Sequence, residues 1–153
     1  MSSADGQVAL KALVAAAQSG DPDAVENALI QGFQVGITAE YVPVLIELLS
    51  TKGHRKHEDI VSALQRLKDP RAVDSLYRAA LVSHAYLDYD EFFGLARKCT
   101  WALADIGTVE AQSRLKSLAQ SENAQIAQYA QKRLDSWQGE SARKGGRSGQ
   151  SQP

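Results

Sequence analysis

The sequence predicts an all-α protein, an α-solenoid of stacked antiparallel helix pairs with about eight helices. Three observations predict this fold class. Apolar residues recur along the chain at the three- and four-residue spacing of a helix with one buried side. Leucines at equivalent helix positions recur with a period of about 31 residues. No segment carries the strand signal of alternating apolar and polar residues.

The period is measured between one reference leucine in the first helix of each pair and one in the second. Within three successive pairs the two leucines are 19, 27 and 19 residues apart, and from each pair to the next the separation is 12 both times. The middle pair therefore carries eight extra residues between its helices. Such pairs stack on their neighbours to build a continuous core. The reference leucines are Leu45 with Leu64, Leu76 with Leu103, and Leu115 with Leu134.

The first two helices are predicted to form a divergent N-terminal capping pair over residues 5–37. The first runs from Gln7 to Ser19, and its predicted inward side chains are Leu10, Leu13, Val14 and Ala17. Asp21-Pro22 then opens the second helix, which ends near Gly32, because a carboxylate caps free N–H groups and proline at the first helical position has no N–H to lose. The leucine separation into the next pair is 16 here instead of 12.

The second pair occupies residues 38–67. Thr38 can cap a helix that ends near Ser50, and Pro43 inside this span requires the helix either to start at Val42 or to bend. After the turn 51–56, residues 57–67 form the partner helix, with inward side chains at Ile60, Ala63, Leu64 and Leu67.

The third pair begins with a second Asp-Pro start signal, at Asp69-Pro70, which opens a helix over residues 71–81. Its partner lies in residues 93–106 and ends at Gly107. Its apolar stripe is narrow and contains the single cysteine, which we expect to be a small buried hydrophobe. The stripe is formed by Leu95, Cys99, Ala102, Leu103 and Ile106.

The last pair consists of a helix capped by Thr108, with Ala111, Leu115 and Leu118 inward, and a helix over residues 124–137. The segment 138–153 has no apolar side chain larger than alanine, so we predict a disordered tail. Residues 5–137 are then a single domain.

Composition narrows the function classes. The 153 residues carry a formal charge of -1 at a pI near 6.3, which offers no general basic excess for nucleic acid or an anionic membrane. No run approaches the 18 apolar residues of a membrane span, and no basic segment precedes the first apolar run. With one cysteine and no internal disulfide to form, the sequence predicts a cytoplasmic protein.

Three motifs in residues 42–137 carry a resemblance to a known family: DPRAVDSL (69–76), LARKCTWALADIGTVEA (95–111) and AQYAQKRL (127–134). With these motifs the segment resembles HEAT repeats of the phycobilisome-lyase type. As a whole the chain is similar to small stand-alone bacterial HEAT-repeat proteins, some of which are immunity proteins that neutralise toxins. The resemblance implies a binding module, with an accessory or chaperone-like subunit of a lyase or other complex as the alternative. Residues 13–36 are similar to an ankyrin-type helix pair, without the T-P-L-H signature.

In a stack of helix pairs the second helices line the concave side, where a partner would meet the residues opposite the apolar stripe. On the helix before Gly107 these are Arg97, Trp101, Ala104 and Asp105. Neighbouring repeats add Glu58, Ser62, Gln128 and Lys132. Trp101 lies one turn from Arg97, where guanidinium and indole can stack. It is either a binding anchor or a side chain packed sideways against an adjacent helix.

The eight-residue insertion belongs to the segment 83–93, which mixes aromatic and acidic side chains. Stacking places it beside the turn 51–56, so that its aromatic and acidic groups meet a small basic rim of His54 and His57. The alternative is that Tyr86, Leu87, Phe92 and Phe93 cover the ends of neighbouring helices and leave the acids solvated. The predicted partner-binding residues are His54, His57, Glu58, Tyr86, Asp88, Tyr89, Asp90, Glu91, Arg97 and Trp101.

Two sharper hypotheses have less support. His54 and His57 with His84 or the acids could hold zinc, and Asp88, Asp90 and Glu91 could form a carboxylate hydrolase site. Three acids in a loop without a partnered base are more typical of a solvated loop, and no phosphate-binding, dinucleotide-binding or nucleophile motif is present. The sequence therefore predicts a non-enzymatic protein without catalytic residues, metal or cofactor. Its expected partner is one protein, with a toxin domain as the candidate, and neither nucleic acid nor membrane.

Overall fold

The computed structural model describes the backbone of residues 4–87 and 92–148 and the side chains of residues 4–87 and 92–137. Over these ranges the chain forms eight α-helices and three single 3-10 turns, with no strand. The all-α class with about eight helices is thereby confirmed. The helices are α1 (Ala4–Ser19), α2 (Pro22–Val35), α3 (Val42–Leu49), α4 (His57–Leu67), α5 (Val73–Ala80), α6 (Gly94–Ile106), α7 (Val109–Leu118) and α8 (Ala124–Ser148).

Side-chain caps start three of these segments where the sequence predicts them. The Asp21 carboxylate accepts the Asp23 N–H at 3.0 Å before α2, and the Asp69 carboxylate accepts the Arg71 N–H at 2.9 Å before the turn that leads into α5. Ahead of α7, the Thr108 hydroxyl accepts the N–H of Ala111 at 3.1 Å. Each cap satisfies a donor that the first helical turn leaves without a partner.

Pro43 does not bend its helix. A 3-10 turn over Ala39–Tyr41 precedes α3, which begins at Val42 and so places the proline in its first turn. A proline at that position loses no helical hydrogen bond, because the first N–H groups have no acceptor inside the helix. The first of the two sequence-based alternatives is therefore confirmed.

Each odd-numbered helix packs on the even-numbered helix that follows it. Between neighbouring pairs, odd-numbered helices pack on odd-numbered helices and even-numbered helices on even-numbered ones. In the even-numbered layer α4 packs on α6 and α6 on α8, and in the odd-numbered layer α5 packs on both α3 and α7. We interpret this as two helical layers with the core between them. Burying one leucine completely contributes roughly 2 kcal/mol. The reference leucines Leu45, Leu64, Leu76, Leu103 and Leu115 have no exposed surface, and Leu134 is partly buried.

Two sequence-based predictions on the helices differ from the structure. The buried stripe of α1 contains Ala9, Leu13 and Ala16, whereas Val14, predicted to face inward, is 38 % exposed. Helix α8 continues to Ser148, although the sequence predicts a disordered tail after Trp137. A helix already nucleated by packed residues gains one hydrogen bond for each residue added, which favours its extension beyond the core.

Within the described residues no helix is both long enough and apolar enough to cross a lipid bilayer.

Candidate functional site

The first candidate feature is a small cleft between α6 and α8, which we call the Trp101 cleft. Its walls are Arg97, Thr100, Trp101, Tyr129, Lys132 and Arg133. The two helices are parallel neighbours here, because Tyr129 contacts the start of α6 while Arg133, one turn later, contacts Trp101. A tryptophan and a tyrosine thus lie among three cationic side chains.

Trp101 is 39 % exposed, and the guanidinium carbon of Arg133 lies 3.5 Å from its ring centroid. The sequence predicts that Arg97 of the same helix stacks on Trp101, but the cation over the ring is Arg133. The neighbouring helix brings Arg133 over the ring instead, so the contact depends on helix packing and not on the spacing within α6. Trp101 therefore both packs sideways against α8 and keeps an exposed face.

Charges separate along the face formed by α4, α6 and α8. At the C-terminal end of α6, the Gln65 amide of α4 donates to the Asp105 carboxylate at 2.7 Å, whereas the described walls of the Trp101 cleft contain cations and no acid. Four ion pairs join described side chains, and neither Arg97 nor Lys132 takes part in them. The described part of this face therefore has cations around Trp101 and the carboxylate of Asp105 on the side that contacts α4.

The C-terminal end of the insertion is tied to this cleft. The Tyr129 hydroxyl donates to the Phe92 carbonyl at 2.6 Å. Phe92 is 71 % exposed, and Phe93 is also exposed and holds a positive φ of 55° just before α6. A left-handed backbone is unfavourable for a bulky residue, so the surrounding contacts must hold Phe93 in place. Large apolar surface thereby lies next to the Trp101 cleft.

The second candidate feature is the histidine stack, which consists of His54, His57 and His84, all the histidines of the chain. The rings of His54 and His57 are 4.1 Å apart between centroids, and those of His57 and His84 are 3.7 Å apart, with interplanar angles of 17° and 26°. Their exposed fractions are 2 %, 0 % and 7 %. The stack joins the turn before α4 to the segment that follows α5.

Backbone groups and one tyrosine determine how the first two rings hydrogen-bond. The His54 ring accepts the Lys56 N–H through Nδ1 and donates from Nε2 to the Leu48 carbonyl at 2.8 Å. The His57 ring donates from Nε2 to the Thr51 carbonyl at 2.7 Å, so its Nδ1 accepts the Tyr86 hydroxyl proton at 2.8 Å. The same tyrosine oxygen accepts the His57 backbone N–H at 3.2 Å.

The third ring differs from the other two. His84 Nε2 is buried and has no hydrogen-bond partner among the described residues. Burying a polar group without a partner is costly. Desolvation lowers the pKa of His84, and the positive charge of Lys52 and the His54 ring lower it further.

Burial also lowers the pKa of His57, from 6.5 to about 4. The hydrogen bond to the Thr51 carbonyl opposes this shift, while His54, His84 and Lys52 add to it. Desolvation raises the pKa of the Tyr86 phenol, which therefore keeps the proton that it donates. The structure thus holds His57 as a neutral ring.

The structure brings the turn 51–56 and the start of the insertion together, but not as an exposed rim. The prediction that His54 and His57 form a basic rim is wrong, because both rings are buried and their nitrogens bond inside the protein. Tyr86 and Leu87 are partly buried against the body of the protein, whereas Phe92 and Phe93 are exposed. The covering role considered for all four side chains therefore does not hold for Phe92 and Phe93.

Of the other predicted partner-binding residues, Glu58 is half-buried, and Arg97 and Trp101 are exposed and share the Trp101 cleft. Asp88, Tyr89, Asp90 and Glu91 lie outside the described residues.

The described residues show no geometry that supports the zinc site or the carboxylate hydrolase site. The three histidine rings are stacked face to face and do not point their nitrogens at a common centre, and the described residues contain no group of three His, Cys, Asp or Glu arranged to hold a metal ion. The acids proposed for a hydrolase site lie outside the described residues. Cys99 is fully buried, and desolvation raises the pKa of its thiol, which disfavours the reactive thiolate.

A groove between α2 and α4 was not predicted. It measures about 460 Å³ and is lined by Ile30, Phe33, Gln34, Lys56, Asp59, Ser62, Ala63 and Arg66. The only signal in the sequence is the separation of 16 residues between Leu29 and Leu45, where later pairs have 12. This longer connection accompanies a looser fit, since α2 does not pack on α4 as closely as α4 packs on α6.

Comparison with known proteins finds no matching family model, no matching curated protein and no matching solved structure.

Proposed function

We propose that the protein is a non-enzymatic protein-protein interaction module whose partner docks on the Trp101 cleft and the adjoining Phe92. The observation that carries the proposal is the exposed indole of Trp101, held under Arg133 within a cationic cleft and next to exposed apolar surface. Tryptophan, tyrosine and arginine are the side chains most enriched among the residues that dominate binding energy at protein interfaces. This cleft contains all three.

Two aromatic side chains of the cleft are already held by contacts within the protein, which favours binding. Arg133 covers the indole of Trp101, and the Tyr129 hydroxyl donates to the Phe92 carbonyl. Immobilising a flexible side chain on binding costs about 0.5–1.5 kcal/mol, so contacts formed in advance reduce that cost.

The specific form of this proposal is an immunity protein that binds and neutralises a cognate toxin. Its support is the resemblance of the chain to small bacterial HEAT-repeat proteins, together with a binding face that contains no catalytic group among the described residues. Neutralisation requires only that the module occupy the toxin's active surface.

The test uses the full chain as bait in a lysate of the organism that encodes it, followed by titration calorimetry with the purified captured protein. We expect Trp101→Ala to weaken this complex at least tenfold. Val109→Ala serves as the matched control, because Val109 is a highly exposed apolar residue on α7, in the other helical layer.

Equal affinity of Trp101→Ala and the unchanged protein would contradict the proposed face. For the immunity form, co-expression of the unchanged protein should suppress the toxicity of the captured protein, and Trp101→Ala should not. If the captured protein is not toxic, the hypothesis of an immunity protein is rejected, while the hypothesis of an interaction module remains.

A further inference from the structure

The charge of the Trp101 cleft indicates the chemistry of the partner. We infer that the segment docking there is acidic and places carboxylates against Arg97 and Lys132 beside the indole ring. This inference rests on the proposed interaction module. Its basis is that Arg97 and Lys132 lie in one small cleft whose described walls contain no acid, and that neither residue belongs to the four ion pairs between described side chains.

The arrangement favours an acidic protein segment over a nucleic-acid backbone. A phosphate backbone needs cations repeated along its track, but on the side that contacts α4 the next charged group is the carboxylate of Asp105, bonded to Gln65. A charge pattern that changes sign along the face fits a partner with its own uneven charge, which it orients on approach.

The test of the cleft alone uses a labelled eight-residue glutamate peptide, a lysine peptide of equal length and a single-stranded oligonucleotide of equal charge. The indole N–H signals of Trp101 and Trp137 are followed by NMR, since the chain has only these two tryptophans. We expect the glutamate peptide to shift Trp101 and the lysine peptide to leave it unchanged. No shift with the glutamate peptide, or tighter binding of the oligonucleotide, would overturn the inference.

Variants separate this inference from the proposed function on which it rests. Against the captured partner, Lys132→Glu should weaken binding at least tenfold, while Lys116→Glu, an equal charge change on the exposed surface of α7, should not. If Trp101→Ala loses affinity and Lys132→Glu does not, the inference of an acidic partner is overturned but the proposed interaction face remains. If neither variant loses affinity, the proposed interaction face is itself rejected.

The histidine stack carries a second inference, independent of the cleft. We propose that the stack is an acid-sensitive latch, in which protonation of His57 and His84 releases the segment His84–Leu87 from the turn 51–57. The basis is geometric: three rings lie in face-to-face contact, the middle ring has both nitrogens engaged, and the third has a buried nitrogen without a described partner.

A proton on His57 disrupts the hydrogen bonds of the closed arrangement. Nδ1 would change from acceptor to donor, so the Tyr86 oxygen would face two N–H donors and the Tyr86 hydroxyl proton would lose its acceptor. The new charge would also face neighbouring histidine rings in a buried site. Opening the segment returns the ring to water, where it binds a proton readily.

Burial sets the direction of the effect, and the charged groups around the stack modify it. Lys52 in the turn opposes a proton on both His57 and His84. Glu58 and Asp59 at the start of α4 and Glu26 from α2 act on Tyr86, while Glu26 pairs with Arg55 and Asp59 with Lys56. Asp88, Asp90 and Glu91 follow in the chain and lie outside the described residues.

The direction of the pH effect on opening follows from the linkage between proton binding and opening. A histidine with a pKa of 6.5 when open and about 4 when closed binds its proton mainly in the open form between these values. At pH 5.5 this favours opening about tenfold for His57 alone. The same direction at His84 adds to the effect.

Amide hydrogen exchange of the full chain tests the latch. We expect the protection factors of the His57 and Leu87 amides, which donate to the Tyr86 hydroxyl and the His84 carbonyl, to fall more than tenfold from pH 7.5 to 5.5. The Ala119 amide, bonded to the Leu115 carbonyl in α7, is the internal control. Unchanged protection of the first two amides would overturn the latch.

Two variants and one direct titration complete the test. The H84F variant keeps a flat ring that cannot titrate. Opening of the segment should therefore depend less on pH in this variant than in the unchanged protein, because only His57 still contributes. Tyr86→Phe removes the hydroxyl but no histidine, so it should loosen the segment at both pH values and keep the pH dependence. NMR titration midpoints of His57 and His84 at or above 6.5 in the unchanged protein would overturn the proposal without any substitution.

Discussion

The Trp101 cleft and the histidine stack are both clusters of aromatic rings and basic nitrogens, but they lie in opposite environments. In the cleft Arg97, Trp101 and Lys132 are exposed, and Tyr129 and Arg133 are half-buried. In the stack the rings are almost fully buried, and carbonyl groups and a tyrosine take up the ring nitrogens.

The difference shows that burial, and not residue type, decides what such a cluster can do. A cation at the surface remains available to a partner, because water screens it and stabilises its charge. A buried histidine is most stable without charge, so it responds to protons instead. Three measurements test this division, taken from the largest expected effect to the smallest.

The largest effect should come from His57→Ala. This change leaves a cavity in the stack and removes the partners of the Thr51 carbonyl and the Tyr86 hydroxyl. We expect a loss of about 2–4 kcal/mol in the free energy of unfolding, measured by urea denaturation at pH 7.5. Trp101→Ala, in the exposed cleft, is the comparison and should lose less than about 1 kcal/mol. Equal losses would show that the two clusters do not differ as described.

The second effect is the pH dependence of stability. His57 has a pKa of about 4 in the folded protein against 6.5 as its ordinary value. The unfolded chain therefore binds more protons between these values, so stability is complete above pH 6.5 and is lost as the pH falls towards 4. Between pH 7.5 and 5 we expect His57 alone to account for a loss of about 2 kcal/mol. Urea denaturation at both pH values measures the loss, and a protein more stable at pH 5 would contradict this assignment.

The smallest effect concerns the contact of Arg133 with Trp101. Because this pair is partly exposed, we expect a coupling of about 0.5–1 kcal/mol in a double-mutant cycle built from the two single alanine variants and the double variant. Arg114 and Tyr77, 4.7 Å apart on the other helical layer, form a looser pair of the same kind and should couple less strongly. A coupling of zero for Arg133 and Trp101 would show that the indole is not held by the guanidinium.

Local sequence signals located most of the fold. Asp21-Pro22, Asp69-Pro70 and Thr108 lie at helix starts, since capping depends only on residues within one turn. The periodic leucines identified much of the core for the same local reason. The face of α1 was less well predicted, because its stripe is rich in alanine and distinguishes the two sides of the helix weakly.

The candidate site was predicted only in part. Arg97 and Trp101 were correctly placed on the exposed side of α6, since that follows from the helix period alone. The stacking of Arg133, the burial of His54 and His57, and the groove beside α2 were not predicted. Each depends on how far apart two helices stand, and this distance is set by packing along their whole length.

The sequence alone determined which segments are helical, where most of them begin and which leucines enter the core, because hydrogen bonding and apolar periodicity act within a few residues along the chain. Tertiary structure alone decided that the three histidines would become one buried stack, and that a guanidinium from α8 would cover the indole of α6. Those outcomes depend on solvent exclusion and on contacts between residues far apart in the sequence, which no local pattern encodes.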